Sequence, residues 1–521
     1  MSDQPMHSTL QPSASLHSPT WLSHIRWTYV AAVIIGLGVI LRLPMLPEPL
    51  TYATDYWRPA DTAAIAHHFL ENGFRLLYPQ INWGGSGPGY VETEFQLYPF
   101  LVALLYRVFG EQLWLGRLVS LLFSVPTFAV FYLLARRILT PLAATVALFL
   151  FVISPLDLRY SATFMPEAAM LFFYVVALYL FYRYYETSSR WLLALAALST
   201  ALGILIKPTA GVVFLVFLIL MFDKHGVRGL IGREVWLTGL VSLVPSALWY
   251  WHAHELYLTY GNTFGVIGGG DTKFGNLSYW LSPAFYLATA RLEVKWVFDG
   301  VGLAFFAIGL IAALRHRRYI LITAGVLTTG LYYLAIAHAA DKPFAVHYHL
   351  VALPFAALAM GLGISTLTSY ARMTGPLTAG AAVLLFLTVA WSAYIYGDLV
   401  RFGENGWARQ EINCAAQVQS VVPDNSLLII SSPVESEYAD RPRNYQDPTI
   451  FFYSHRYGWS LPADWHTPDK VEAYHQAGAA YFVIADGPLL ESSPTLVSYL
   501  EANSVQIGPG IAAGCGVYQL H

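Results

Sequence analysis

The sequence predicts an all-α polytopic membrane protein of about eleven transmembrane helices, its N-terminus in the cytoplasm, with a small C-terminal α/β domain outside the cytoplasm. Three observations predict it. Of 521 residues, 56% are hydrophobic and 12% charged, about half the charged fraction of a soluble domain. Apolar runs of spanning length recur from Trp27 to Tyr396 and then stop. Basic residues gather in alternate connecting segments. A net charge of −3 excludes a nucleic-acid binder that relies on a basic field.

A helix needs roughly 20 mostly apolar residues to cross the hydrocarbon. Spans are expected at 27–46, 113–136, 141–157, 167–185, 190–206, 209–222, 234–252, 297–314, 319–338, 349–369 and 376–396. A further apolar stretch, 97–109, is short and carries Pro99 in its first turn, so it is expected to lie flat at the interface. The cytoplasmic side then holds Arg26, Arg136, Arg137, Arg183, Arg190, Lys224, Arg228, Arg233, Arg315, Arg317, Arg318 and Arg372 against Asp3, Glu186, Asp223 and Glu234. That asymmetry satisfies the positive-inside rule; letting 97–109 span would put Arg136 and Arg137 outside.

Residues 1–26 are rich in Ser, Pro and His and read as a disordered cytoplasmic leader, so the first span is an uncleaved anchor. Residues 27–396 form the transmembrane domain, whose outer loops 47–112 and 253–296 make the active face. Residues 397–521 form the outer domain, with strands at Ser426–Ser431 and Ala480–Ile484 and a helix at Asp469–Gln476. Two cysteines are too few for a disulfide framework or a thiolate metal site. Lying outside, Cys414 and Cys515 could pair as a disulfide joining the two ends of the domain or remain two buried thiols.

Ionisable groups near outer helix ends carry the functional information, because burying them is costly and they usually line a cavity. In the first outer loop, Asp55-Tyr-Trp57-Arg58-Pro-Ala-Asp61 leads into an amphipathic helix expected to lie on the membrane from Pro59 to Gly73. Asp61 falls in its first turn, where a carboxylate favours the helix dipole; Asp55 precedes the helix and has no such structural role. Four glycines between Gly84 and Gly89, followed by Glu92, Glu94 and Tyr98, suggest a mobile active-site loop. Glu167 opens the fourth span after Pro166, and Lys207-Pro208 makes an outer turn against the charge bias. Arg159, His347 and His349 complete the outer set. No His pair has an acidic third ligand at a recognisable spacing, although an acidic loop with histidines leaves a divalent ion open.

A carboxylate can take a proton from an attacking hydroxyl, cations can stabilise a departing phosphate, and aromatic faces suit sugar rings. Together these are the requirements of lipid-linked glycosyl transfer at the outer surface. Two other readings stay open: a transporter or flippase of lipid-linked sugars, and a glycan ligase or polymerase using a diphosphate-linked donor. The first wants charges at mid-depth and repeated broken helices; the second wants converging arginines, for which Arg58 and Arg159 qualify.

The motifs Arg42-Leu-Pro, Gln96-Leu-Tyr-Pro-Phe-Leu-Val-Ala-Leu-Leu-Tyr-Arg-Val-Phe-Gly110, Gly116-Arg-Leu-Val-Ser, Met165-Pro-Glu167, Lys207-Pro-Thr and His347-Tyr-His349 follow in this order. Over about residues 25–400 the chain resembles the GT-C membrane glycosyltransferases, in the group around bacterial protein mannosyltransferases and the lipid A aminoarabinose transferase. The resemblance implies a GT-C-like fold and inverting transfer from a polyprenyl-phosphate-linked sugar to a glycan, lipid or protein acceptor, at the outer face of a bacterial inner membrane. It places the catalytic acids at Asp55 or Asp61 and at Glu167. Lys207, Arg58, Arg159 and His347 would meet the donor phosphate, and Glu92, Glu94, Trp57, Tyr98 and His349 the substrates. Many members carry Asp-Glu where this chain has Asp55-Tyr-Trp57-Arg58, hence both Asp55 and Asp61.

Overall fold

The computed structural model describes residues 26–50, 57–270, 272–371, 375–402, 406–438, 441–442 and 445–521. Asp55 lies outside the described residues. Among the described residues the first nine α-helices are α1 (Trp27–Arg42), α2 (Trp57–Glu71), α3 (Leu97–Phe109), α4 (Leu113–Ile138), α5 (Pro141–Ile153), α6 (Pro155–Tyr160), α7 (Glu167–Thr187), α8 (Arg190–Ile206) and α9 (Val213–His225). The longest of the later helices are Arg233–Tyr260 and Gly375–Phe402.

Five described helical stretches are long and apolar enough to cross a membrane, or seven if each of two bent pairs counts as one span. The expected spans at 141–157 and 190–206 fall on helices of 13 and 17 residues, about 20 and 26 Å at 1.5 Å per residue, short of a full crossing on their own. The bent pairs join Pro283–Trp296 to Gly300–Arg315 at 109° and Pro343–Val351 to Leu353–Ser369 at 70°. The helices Leu303–Arg315 and Leu353–Ala371 touch backbone to backbone. A Cβ on Gly309 would fall 1.8 Å from the Ala359 carbonyl oxygen, the close approach that small residues permit between apolar helices.

Arg42 ends α1 fully buried, paired with Asp157 and hydrogen-bonded to Ser161, Gly38 O (2.7 Å) and Val152 O (3.1 Å). This pair fastens the first helix to α5 and α6.

The C-terminal α/β domain follows through helix Gly406–Val421. Its strands are β1 (Leu427–Ser431), β2 (Glu437–Tyr438), β3 (Arg441–Pro442), β4 (Tyr457–Leu461), β5 (Ala479–Ile484), β6 (Ser504–Gly510) and β7 (Cys515–Leu520). The main sheet has the order β4-β1-β5-β7-β6, with β1 parallel to β4 and β5, and β7 antiparallel to β5 and β6. A disulfide joins Cys414 to Cys515 across 101 residues.

Two expectations need correction. The helix α2 does not lie on the membrane: Ala60, Asp61, Ala63, Ala64, Ile65, Ala66 and Phe69 are all buried, because α3 covers one side and the domain's helix Thr449–Ser454 another. The glycine-rich loop is not free. Gly85 N donates to Gly458 O at 2.7 Å, and Asn82 Nδ2 to Arg456 O at 3.2 Å. Gly85 has φ +70°, and a Cβ there would meet the Trp459 indole at 2.5 Å, so only glycine lets this loop dock on β4. One hydrophobic core is therefore shared: Ile65, Phe69, Ile81, Trp83, Val91 and Phe264 pack with Cys414, Val418, Ile430, Val483 and Val517.

Candidate active site

The start of α2, the start of α7 and the end of α8 meet the loop before α3 around a small cavity lined by Arg58, Thr62, Glu94, Gln96, Pro166, Ile206 and Phe264, among others. Arg58 pairs with Glu94, and its guanidinium stands 4.3 Å from the centre of the Phe264 ring. Burial opposes the charge on Arg58, yet Glu94, Asp61 and Glu167 raise its pKa. Burial would likewise raise Glu94, but the cations of Arg58 and Lys207 hold it down at about 2, so it stays ionised.

Lys207 ends α8 and pairs with Glu167, the first residue of α7. Glu167 is the only hydrogen-bond partner of the Lys207 ammonium among the described residues. The same ammonium sits 5.9 Å from the centre of the Tyr348 ring. Tyr348 belongs to the 3-10 segment Pro343–Val351 at the elbow of a bent pair, which also carries His347 against Tyr160 (6.1 Å between rings). Arg159 lies over Tyr160 and Trp296, at 5.5 and 5.1 Å; its Nε has no hydrogen-bond partner among the described residues. Arg58, Glu94, Glu167, Lys207 and the His347 segment thus come together, with Arg159 on the His347 side.

The remaining sequence-derived residues lie elsewhere. Asp61 Oδ1 accepts the indole N–H of Trp83 at 2.9 Å, and burial pushes its carboxyl up to about 7, against the lowering effects of Trp83 and Arg58. Glu92 is fully buried and accepts Thr263 Oγ1 at 2.5 Å and the backbone N–H groups of Ile267 and Gly268 at 3.1 and 3.4 Å; it organises the second outer loop. Tyr98 donates to Gly116 O at 2.7 Å and also meets Ser120 and Thr163, joining α3 to α4. Trp57 opens α2, half-buried. His349 turns away from the cavity to Glu293 Oε1, 2.5 Å off, and Ala340 O, 3.0 Å off.

Sequence reasoning missed Glu293, which receives both His349 and Tyr333 Oη (2.6 Å), and Phe264 beneath Arg58. A carboxylate between Arg291 and Lys295 at the end of helix Pro283–Trp296 was the available signal for Glu293. Among the described residues no group of three or more His, Cys, Asp or Glu is placed to hold a metal ion.

Helices of this order around a cavity, with an α/β domain packed over α2, share the fold of solved membrane glycosyltransferases. Residues 96–251 match the family model described as dolichyl-phosphate-mannose-protein mannosyltransferase. The chain is similar to ArnT from Cupriavidus metallidurans, solved with undecaprenyl phosphate bound: 14% identity, TM-score 0.62, covering 95% of this chain and 98% of that one. It is similar also to the Archaeoglobus fulgidus oligosaccharyltransferase (13% identity, TM-score 0.62, 89% and 70% covered) and to the mycobacterial arabinofuranosyltransferase AftD (14%, 0.55, 95% and 40%). An uncharacterized protein of Aquifex aeolicus (strain VF5) is 35% identical over 118 residues, which span 22% of this chain and 23% of that relative.

Proposed function

We propose that this chain is an inverting glycosyltransferase that moves a sugar from a polyprenyl-phosphate-linked donor to an acceptor hydroxyl outside the cytoplasm. The observation that carries this reading is a pair of cations, each braced by one carboxylate: Arg58, which lines the cavity, and Lys207, which follows the lining residue Ile206 and acts on the same Glu94. A cation held on one side by a fixed partner keeps its other N–H groups aimed at an incoming anion. The acceptor oxygen attacks the anomeric carbon, the bond to the phosphate oxygen breaks, and configuration inverts. Arg58 and Lys207 offset the charge that grows on the departing lipid phosphate.

The acceptor proton goes to a carboxylate of the first outer loop. We assign that role to Asp55 in preference to Asp61, whose Oδ1 is taken by the Trp83 indole and which does not line the cavity. Glu167 keeps Lys207 in place. Structural relatives solved with undecaprenyl phosphate and with dolichol-phosphate support a lipid-phosphate donor. The same reading keeps eleven spans with the N-terminus and the basic loops in the cytoplasm of a bacterial inner membrane, and residues 397–521 outside.

Native mass spectrometry of the purified protein with added undecaprenyl phosphate tests the donor class. A retained lipid-phosphate adduct that Lys207→Met removes is the expected result. Phospholipid adducts alone would refute the reading.

A further inference from the structure

The C-terminal domain gathers a second set of polar side chains at one edge of its sheet. β1 lies between β4 and β5, all three parallel. The chain leaves β1 towards β4 on one side and leaves β5 towards β6 and β7 on the other. The carboxyl ends of β1 and β5 therefore flank a point where the connections diverge, and in open sheets with parallel strands ligands bind in the crevice outside such a point.

Ser431, the last residue of β1, places Oγ 3.0 Å from His466 Nε2, in the segment after β4. His466 is 4% exposed, and its Nδ1 has no well-aligned hydrogen-bond partner. The polar groups around the ring are the Leu461 carbonyl and the carboxylates of Asp464 and Asp486. Burial lowers the pKa of His466, which keeps the imidazole neutral, with one nitrogen able to donate and the other to accept. Among the described residues the Nδ1 side meets only the Leu461 carbonyl, off alignment, and a ligand hydroxyl would be a better-aligned partner.

The two walls are set independently. Asp464 accepts Ser436 N and Oγ at 2.7 and 2.5 Å, and Ala463 N donates to Val434 O at 2.9 Å, so the loops after β1 and β4 form one wall. Asp486 stands on the other, after β5, with Oδ1 accepting Leu489 N at 3.0 Å. Trp465, beside His466, stands 5.8 Å from Tyr445 between rings and carries the Lys470 ammonium over one face at 4.2 Å, leaving its other face and Tyr445 as the aromatic surface.

We propose that this edge is a carbohydrate-binding site, in which His466, Ser431, Asp464 and Asp486 exchange hydrogen bonds with the hydroxyls of a neutral sugar while Trp465 and Tyr445 pack its C–H face. Two carboxylates facing one imidazole disfavour an anionic ligand, and the density of polar groups disfavours a lipid tail. β4 begins at Tyr457 and Gly458 against the first loop and ends at Leu461, so the site lies roughly 13 Å along β4 from that contact. The bound sugar is then part of a glycan acceptor, a clause that rests on the transferase reading above.

Saturation-transfer NMR on the full-length protein in nanodiscs, with maltohexaose, chitotetraose and mannotetraose as probes, tests the site. At least one probe is expected to bind, with Trp465→Ala and His466→Gln each weakening it about tenfold, the worth of roughly one net hydrogen bond, and Lys207→Met leaving it unchanged. If His466→Gln lowers the melting temperature, Trp465→Ala and Asp486→Asn decide. No binding of any probe, or binding unaltered in the Trp465 and Asp486 variants, overturns the site. Sugar binding without any sugar transfer would keep the site and remove the transferase; transfer without binding would do the reverse.

Discussion

Trp83 donates its indole N–H to Asp61 Oδ1 over 2.9 Å, and both residues are buried where the first outer loop meets the C-terminal domain. The Asp447 carboxylate of that domain adds to the pressure on Asp61. This contact sets the ionisation of Asp61, and the first prediction follows from it.

Asp61 titrates near 7 in the folded protein, against about 3.9 when unfolded. Between those values the native state binds the proton more tightly, so this group lowers stability as pH rises from about 4 to about 7. Asp61→Asn keeps the acceptor for Trp83 and removes the charge. Thermal melts should show the variant more stable than the parent at pH 7.5, by on the order of 2 kcal/mol, with the difference closing by pH 4. A variant equally destabilised at both pH values would contradict this account.

Lys207→Met leaves Glu167 as an uncompensated buried carboxylate and deprives the cavity of a cation. Sugar transfer should fall by about a hundredfold or more, and Glu167→Gln should lose less, since the lysine remains. Side-by-side turnover assays at saturating donor check the order of the two.

Gly85→Ala forces a Cβ into the Trp459 indole at a left-handed backbone position. A loss of roughly 1–3 kcal/mol is expected. The informative readout is limited proteolysis near residues 84–89, which should accelerate as the loop leaves β4. Unchanged cleavage would mean that the docking does not depend on this glycine.

Arg42→Ala strands Asp157 in the protein interior. Removing one partner of a buried pair costs about 3–5 kcal/mol, so the variant should be recovered in low yield. The double variant Arg42→Met, Asp157→Leu should restore much of the loss. Yield and melting temperature in detergent measure both.

Reduction of the Cys414–Cys515 disulfide opens a loop of 101 residues, for which chain entropy gives about 4–5 kcal/mol. Dithiothreitol should lower the melting temperature of the parent and leave Cys414→Ser, Cys515→Ser unchanged.

Much of this architecture is legible in the sequence because apolar runs and turn chemistry are local signals. β1, β5 and helix Pro468–Gln476 fall within a residue or so of where alternation and Pro place them. Arg58, Glu167 and Lys207 could be picked out because charges at outer helix ends are rare enough to stand out. What was hidden depends on long-range contact. Glu92 and Glu94 are two residues apart, yet one turns to the second outer loop and the other to Arg58. The alanine-rich α2 reads as a surface helix until the C-terminal domain is laid over it. His349 was grouped with His347 by spacing alone, while its partner, Glu293, lies 56 residues before it.

The core shared by Ile65, Trp83, Val91 and Phe264 with Val418, Ile430 and Val517 also dictates an order of events during synthesis. The first loop emerges some 370 residues before β5 and some 400 before β7, and the side of it that meets this sheet has no lasting cover in that interval. The cover over α2 is completed only once β5 and β7 have been made. A polypeptide stopped short of β7 would have its membrane helices and its cations, yet an unfinished lid over α2. For the cell, that ties the cover of α2 to strands made long after it.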